Sequence, residues 1–222
     1  MYDQNQIEPT VFSRTIGTTL YLYFNKISPT TLQEFNNAID DASTTPKLGS
    51  MIIDFRGNVG GSLDFLQYFL GFFIGQNQYA FDLFHQGDYQ VQRTVASKLT
   101  EIDRYKEIAI LTDDMTQSTA ELTTATFKRF RLAHVVGAKT RGWGTVENTY
   151  PLQTIIDANE KYSLLLVNSI TLRDDNQPIE GRGVEPDVDI SNKNWKQELG
   201  NYFNSPELIA VLRQIAAEPP IQ

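Results

Sequence analysis

Residues 108–130 read IAILTDDMTQSTAELTTATFKRF, and two periodicities meet inside them. Ile108, Ile110 and Leu111 open a short apolar run of the kind a buried parallel strand shows. A polar turn follows over residues 112–117, and beyond it Leu122, Ala125, Phe127 and Phe130 fall on one helical face. Ser118 stands at the junction, where the helix N-terminus would begin. The first N–H groups of a helix have no partner within it and carry the positive end of its dipole. Ser118 therefore supports two readings. One is a cap, with Glu121 closing an S-x-x-E capping box. The other is a nucleophile, with the N–H of Thr119 as half of an oxyanion hole.

Strand and helix patterns alternate on both sides of this stretch. Residues 1–15 are polar enough to be a peripheral segment, and residues 16–24, IGTTLYLYF, read as a strand. Ser28-Pro29 reads as an N-cap with proline at N1. The helix it opens carries Leu32, Phe35, Ala38, Ile39 and Ala42 on one face, and a turn over residues 44–49 leads into a short buried strand, 51–53. That strand runs into DFRGNVGG, residues 54–61. Adjacent glycines at Gly60 and Gly61 mark a backbone that turns tightly or lets something approach closely. The stretch is neither a G-x-G-x-x-G dinucleotide fingerprint nor a Walker loop, since no Gly-Lys-Ser/Thr follows.

Ser62 is placed to cap the next helix. Its Leu63, Leu66, Phe69, Leu70 and Phe73 are apolar on more than one side, which predicts burial between layers. Residues 80–95 read as a hairpin turning at residues 86–88, with His85 on the surface beside the turn. Further strands are expected at 134–138 and 164–171, and a glycine-framed segment at 142–144. His134 reads as structural or solvent-facing. A helix over 206–217 starts at Ser205-Pro206. This alternation predicts a layered α/β fold. The core would span residues 16–190, with residues 191–222 a C-terminal helical segment packing on it.

Composition removes several function classes. The 222 residues are 41% hydrophobic, enough for a real core, and carry a net charge of −8. That balance disfavours a nucleic-acid partner, which calls for a basic face. The chain has no cysteine and only two histidines, which leaves no thiolate chemistry and no histidine pair at ligand spacing. No pattern calls for a metal or a cofactor. The opening residues lack a basic-then-apolar leader and no run reaches membrane-spanning length, so the chain reads as cytoplasmic as written or as trimmed.

Four segments, in order, resemble the C-terminal processing peptidases, or tail-specific proteases. Residues 52–64, IIDFRGNVGGSLD, resemble the family's D-L-R-x-N-x-G-G-x-L. Residues 118–122, STAEL, resemble S-A-S-E-I, whose first serine is the nucleophile. Residues 135–146, VVGAKTRGWGTV, resemble V-V-G-E-K-T-F-G-K-G-S-V, and residues 178–188, PIEGRGVEPDV, resemble I-x-G-x-G-I-x-P-D. The resemblance implies a ClpP/crotonase-like layered ββα core and a serine endopeptidase cleaving unstructured protein C-terminal tails. It makes Ser118 the nucleophile, and it makes Thr119 with Gly60 or Gly61 the oxyanion donors. Glu121 matches an acidic residue that orients the catalytic lysine in some members.

The family's basic lysine position is Trp143 here, and an indole has no nitrogen able to take a proton from Ser118. The residue four beyond, often glutamine in the family, is Glu147. Lys139 is a substitute base only if burial lowers its pKa from about 10.4 toward 7. A tricorn-like branch instead uses an upstream histidine with a glutamate that Glu180 matches. That histidine would precede Met1, so the chain reads as the core of a longer polypeptide with an upstream domain. Two further readings stay open: a peptide-binding pseudo-peptidase, which Trp143 suits as apolar contact area, and an acyl-CoA enzyme of the same fold, for which nothing reads as a CoA site.

Overall fold

The computed structural model describes residues 8–45, 47–153, 156 and 160–221. Residues 1–7 of the expected peripheral segment and Pro46 of the expected turn lie outside them. In chain order the elements are β1 (Val11–Ile16), β2 (Thr19–Phe24), α1 (Thr31–Ser43), β3 (Ser50–Asp54), α2 (Asp64–Ile74), β4 (Tyr79–His85) and β5 (Asp88–Arg93). They continue with β6 (Glu107–Thr112), α3 (Thr119–Arg129), β7 (His134–Gly137), β8 (Thr145–Pro151), β9 (Ser163–Thr171), β10 (Val188–Asp189), α4 (Trp195–Glu198) and α5 (Pro206–Ile215). Six strands form one sheet in the order β1-β2-β3-β6-β7-β10, parallel apart from the β1–β2 pair. Four form a second, antiparallel sheet, β5-β4-β9-β8.

Residues 16–24 are not one strand. The chain reverses at Gly17, where φ is +60°, and the hairpin pairs Ile16 with Thr19. The first strand thus starts at Val11, and a boundary at residue 15 falls inside it. Glu34 on α1 holds that edge, accepting the N–H groups of Thr10 and Val11 at 2.6 and 2.9 Å. Helix α1 itself begins later than Ser28-Pro29 suggests. Residues 28–31 form a turn in which the Thr31 hydroxyl accepts the Ser28 N–H at 2.8 Å, and Thr30 becomes the N-cap.

Alternation along the parallel strands builds two cores. Leu20, Leu22, Phe24, Met51, Ile53, Ile110 and Val135 point to the face covered by α1, α2 and α3. Phe69 of α2 packs against Phe127 of α3 with centroids 5.5 Å apart, and Phe73 meets the same ring at 4.8 Å. The in-between residues Tyr21, Ile52, Ala109, Leu111 and Val136 point to the other face, where Trp195, Leu208, Val211 and Leu212 cover them. A strand buried on both faces reads as a continuous apolar run, which is why Met51–Ile53 and Ile108–Leu111 show no polar positions.

A buried charge pair ties the second layer to the end of β3. Asp54 and Arg56 are both buried, and the guanidinium donates to the carboxylate at 2.9 Å through Nε and 2.5 Å through its terminal nitrogen. The other terminal nitrogen reaches the carbonyls of Ile215, Ala216 and Glu218, at and just beyond the C-terminal end of α5. Tyr21 donates to the same carboxylate at 2.7 Å. Burial and that carboxylate push the phenol well above the ordinary tyrosine range. Removing one partner of such a pair leaves a buried charge uncompensated. Arg56→Ala is expected to lower the free energy of unfolding by about 3–5 kcal/mol. Urea denaturation measures it, and a loss under about 1 kcal/mol would mean that the pair is no clamp.

Candidate active site

Strands β3 and β6 lie side by side and parallel, with Asp54 opposite Leu111. Their C-terminal ends therefore release two loops at the same place, where open α/β sheets bind ligands. The glycine loop follows β3 and the serine turn follows β6, and the two are zipped together. Thr116 Oγ1 donates to the Phe55 carbonyl at 2.9 Å, the Gly57 N–H to Asp113 at 2.9 Å, and the Gln117 N–H to the Asn58 carbonyl at 2.9 Å.

At the top of this zipper Gly60 touches Ser118. A Cβ on Gly60 would fall 2.7 Å from Ser118 Cβ and 2.9 Å from the Thr119 nitrogen, and its φ is +89°. A Cβ on Gly61 would fall 2.3 Å from the Ile27 carbonyl oxygen. Both positions require glycine, one for each of the reasons that a glycine pair announces. The two N–H groups are used differently. That of Gly60 is bound by Asn58 Oδ1 at 2.8 Å and is committed there. Among the described residues, the N–H groups of Gly61 and Thr119 donate to nothing. Asn58 is itself buried and anchored to the Phe24 carbonyl at 2.8 Å.

Ser118 is the N-cap of α3 with φ 57° and ψ −128°, a conformation costly to a residue with a Cβ. Half of the capping box with Glu121 forms: the Ser118 N–H donates to Glu121 Oε2 at 3.0 Å, while the Glu121 N–H goes to the Ser118 carbonyl at 2.9 Å and the Ser118 hydroxyl makes no cap bond. The carboxylate does more than cap. It is fully buried, and it also accepts the Thr140 hydroxyl at 2.5 Å, the Gly142 N–H at 2.7 Å and the Trp143 N–H at 2.8 Å. Four donors on two oxygens bolt the glycine-framed segment to the serine turn. Glu180 holds the same segment from the other side, accepting the Gly144 N–H at 2.8 Å.

A cavity of about 280 Å³ opens over Ser118 and Thr119. Gly61, Ser62, Leu63 and Asp64 line one wall; Trp143, Thr145, Val146, Glu147, Asn148 and Thr171 line the rest. Trp143 is 48% exposed and its indole N–H donates to Glu147 Oε1 at 3.3 Å. Two of the residues singled out from sequence lie elsewhere. Lys139 is on the surface, its ammonium 2.7 Å from Glu185, and does not line the cavity. Glu180 does not line it either. The histidines are also remote: His85 bonds the Asn168 carbonyl, and His134 faces Asp187 and the rings of Tyr202 and Phe203. Sequence reasoning passed over Asn58, Asp64, Thr140 and the bonding of Glu147. Among these only Asn58 carried a signal, as the polar residue inside a glycine loop.

The sequence profile of Peptidase family S41 matches residues 18–190. The chain belongs to peptidase family S41. A relative from Staphylococcus epidermidis, named "Probable CtpA-like serine protease", is 28% identical over 180 residues, which is 81% of this chain and 35% of the relative. The chain thus spans about a third of the length of the curated relatives it matches. Its fold is that of the photosystem II D1 C-terminal processing protease, with a TM-score of 0.64 and 17% identity over 84% of this chain and 50% of that one. Mature CPAF, solved with lactacystin, aligns with a TM-score of 0.59 and 16% identity, covering 94% of this chain and 55% of that one. The S41 fold thus accounts for the layered α/β core. Among the described residues no three or more His, Cys, Asp or Glu side chains cluster as a metal ion would require, and no helix is long and apolar enough to cross a membrane.

The four bonds on Glu121 make a sharp expectation. In Glu121→Gln the amide nitrogen faces at least one N–H donor that the carboxylate accepted, so at least one bond is lost inside the protein and the others lose the charge that strengthened them. The unfolding free energy should fall by at least about 2 kcal/mol. Amide hydrogen exchange at Ser118, Gly142 and Trp143 should accelerate more than in the sheet, and uniform acceleration would show that the carboxylate is not a local bolt.

Proposed function

We propose that this chain is the catalytic core of a serine endopeptidase that cleaves unstructured protein tails through an acyl-enzyme on Ser118. The observation that carries this is the pairing of a strained serine with two uncommitted N–H groups, Gly61 and Thr119, on the wall of one cavity. A scissile carbonyl placed there puts its carbon against Ser118 Oγ. Its oxygen, as it gains charge, meets preorganised donors and the positive end of α3. The cap reading of Ser118 is compatible with this, because the box uses the Ser118 backbone N–H and leaves the residue on the cavity wall.

Glu121 and Glu180 act in this proposal as positioning residues. They hold residues 142–144 over the cleft through backbone N–H groups, and no lysine ammonium is there for them to orient. The cavity admits a side chain or two of an extended peptide and is too small for a folded surface, which favours unstructured segments as substrate. Family membership supports proteolysis, and the name of the D1-processing neighbour supports C-terminal tails.

Ser118→Ala should abolish cleavage of casein and of a peptide bearing an unstructured apolar tail, followed by mass spectrometry. Its thermal melting point should stay near that of the parent, since the change trims one hydroxyl. Undiminished cleavage by Ser118→Ala would remove the nucleophile. Tail binding with no cleavage by either protein would favour the peptide-binding pseudo-peptidase.

A further inference from the structure

A serine hydroxyl is a weak nucleophile until a neighbouring group takes its proton. The residues lining the Ser118 cavity include no histidine, lysine or arginine; its ionisable side chains are Asp64 and Glu147. We propose that Glu147 is the general base of this site, oriented by the indole of Trp143. The proposal rests on the reading of Ser118 as nucleophile and supplies the group that reading lacks.

The connection between the two residues can be followed bond by bond. Ser118 N–H and Trp143 N–H donate to one and the same oxygen, Glu121 Oε2, at 3.0 and 2.8 Å. That shared oxygen keeps the two backbones together at the cleft. The Trp143 indole N–H then donates to Glu147 Oε1 at 3.3 Å, and the Thr145 hydroxyl donates to the same atom at 2.5 Å. Both recorded bonds fall on Oε1. Among the described residues Oε2 has no partner and is left to accept a proton. A nucleophile, a base and a third group fixing the base is the arrangement that activates a serine. Asp64 is exposed at the start of α2 with no such support. Trp143 thereby acquires a role: it offers an N–H that orients a carboxylate four residues on.

The reaction then closes on this chain's own atoms. As Ser118 Oγ bonds the carbonyl carbon, its proton passes to Glu147 Oε2, and the carbonyl π pair moves onto the oxygen held by Gly61 and Thr119. Collapse of the tetrahedral adduct breaks the carbon–nitrogen bond, and the Glu147 acid gives its proton to the departing amine. A water molecule then loses a proton to Glu147 while its oxygen bonds the acyl carbon. The Ser118 oxygen leaves and recovers the proton.

The test is the second-order rate at which a fluorophosphonate labels Ser118, which reports hydroxyl activation without need of the natural substrate. Glu147→Gln keeps an acceptor for Trp143 and Thr145 but cannot take a proton, and should label about 10²–10⁴-fold more slowly than the parent. Glu147→Ala should be slow as well and should be partly rescued by added formate, a response that a merely structural role would not produce. Labelling of Glu147→Gln at the parental rate, with Ser118→Ala unlabelled, would overturn the base and leave the nucleophile standing. So would a comparable loss confined to Asp64→Asn. A parent protein with no Ser118-dependent labelling would overturn both readings.

Discussion

A buried carboxylate organises the site. Glu121 lies on the first turn of α3 with no exposure, and its two oxygens receive four donors from two separate parts of the chain. A charge removed from water is tolerated only when its hydrogen-bonding capacity is met. Here that requirement fixes the position of residues 140–143 against residue 118. The segment that carries Trp143, and through it the orientation of Glu147, is therefore set by an electrostatic demand at the base of the cleft.

The rest of the site follows from adjacency in the sheet. Two parallel neighbours, β3 and β6, end together, and their loops exchange hydrogen bonds through Thr116, Gly57 and Asn58. Asn58 decides which glycine does what. By binding the Gly60 N–H it leaves that residue a spacer whose missing Cβ admits Ser118, and Gly61 the one with a free donor. Strain at Ser118 is sustained because the surrounding bonds over-determine its backbone.

Much of this was legible in the residues themselves. Apolar runs without polar interruption announced strands buried on both faces, and the two structural cores show why. The approach of the glycine pair to Ser118 followed from the family resemblance, because paired glycines after a strand mean a tight turn or a close approach and name no partner. What was not legible depends on contacts distant in sequence. Thr140, Gly142 and Trp143 meet Glu121 only after β7 has been laid beside β6. The hairpin at Gly17 was hidden because its turn sits inside a run of β-formers. Lys139 stood four residues from Trp143, yet only the fold shows it paired with Glu185 on the surface.

The central claim is that Ser118 attacks a carbonyl whose oxygen is received by Gly61 and Thr119. A crystal structure of the chain with a peptide boronic acid examines that directly, since boron becomes tetrahedral only on bonding a nucleophile. The account predicts a boron–Oγ bond at Ser118 and a boronate oxygen about 2.7–3.1 Å from both backbone nitrogens. A ligand that lies in the cavity unbonded to Ser118, or whose oxygen turns away from Gly61 and Thr119, would contradict it.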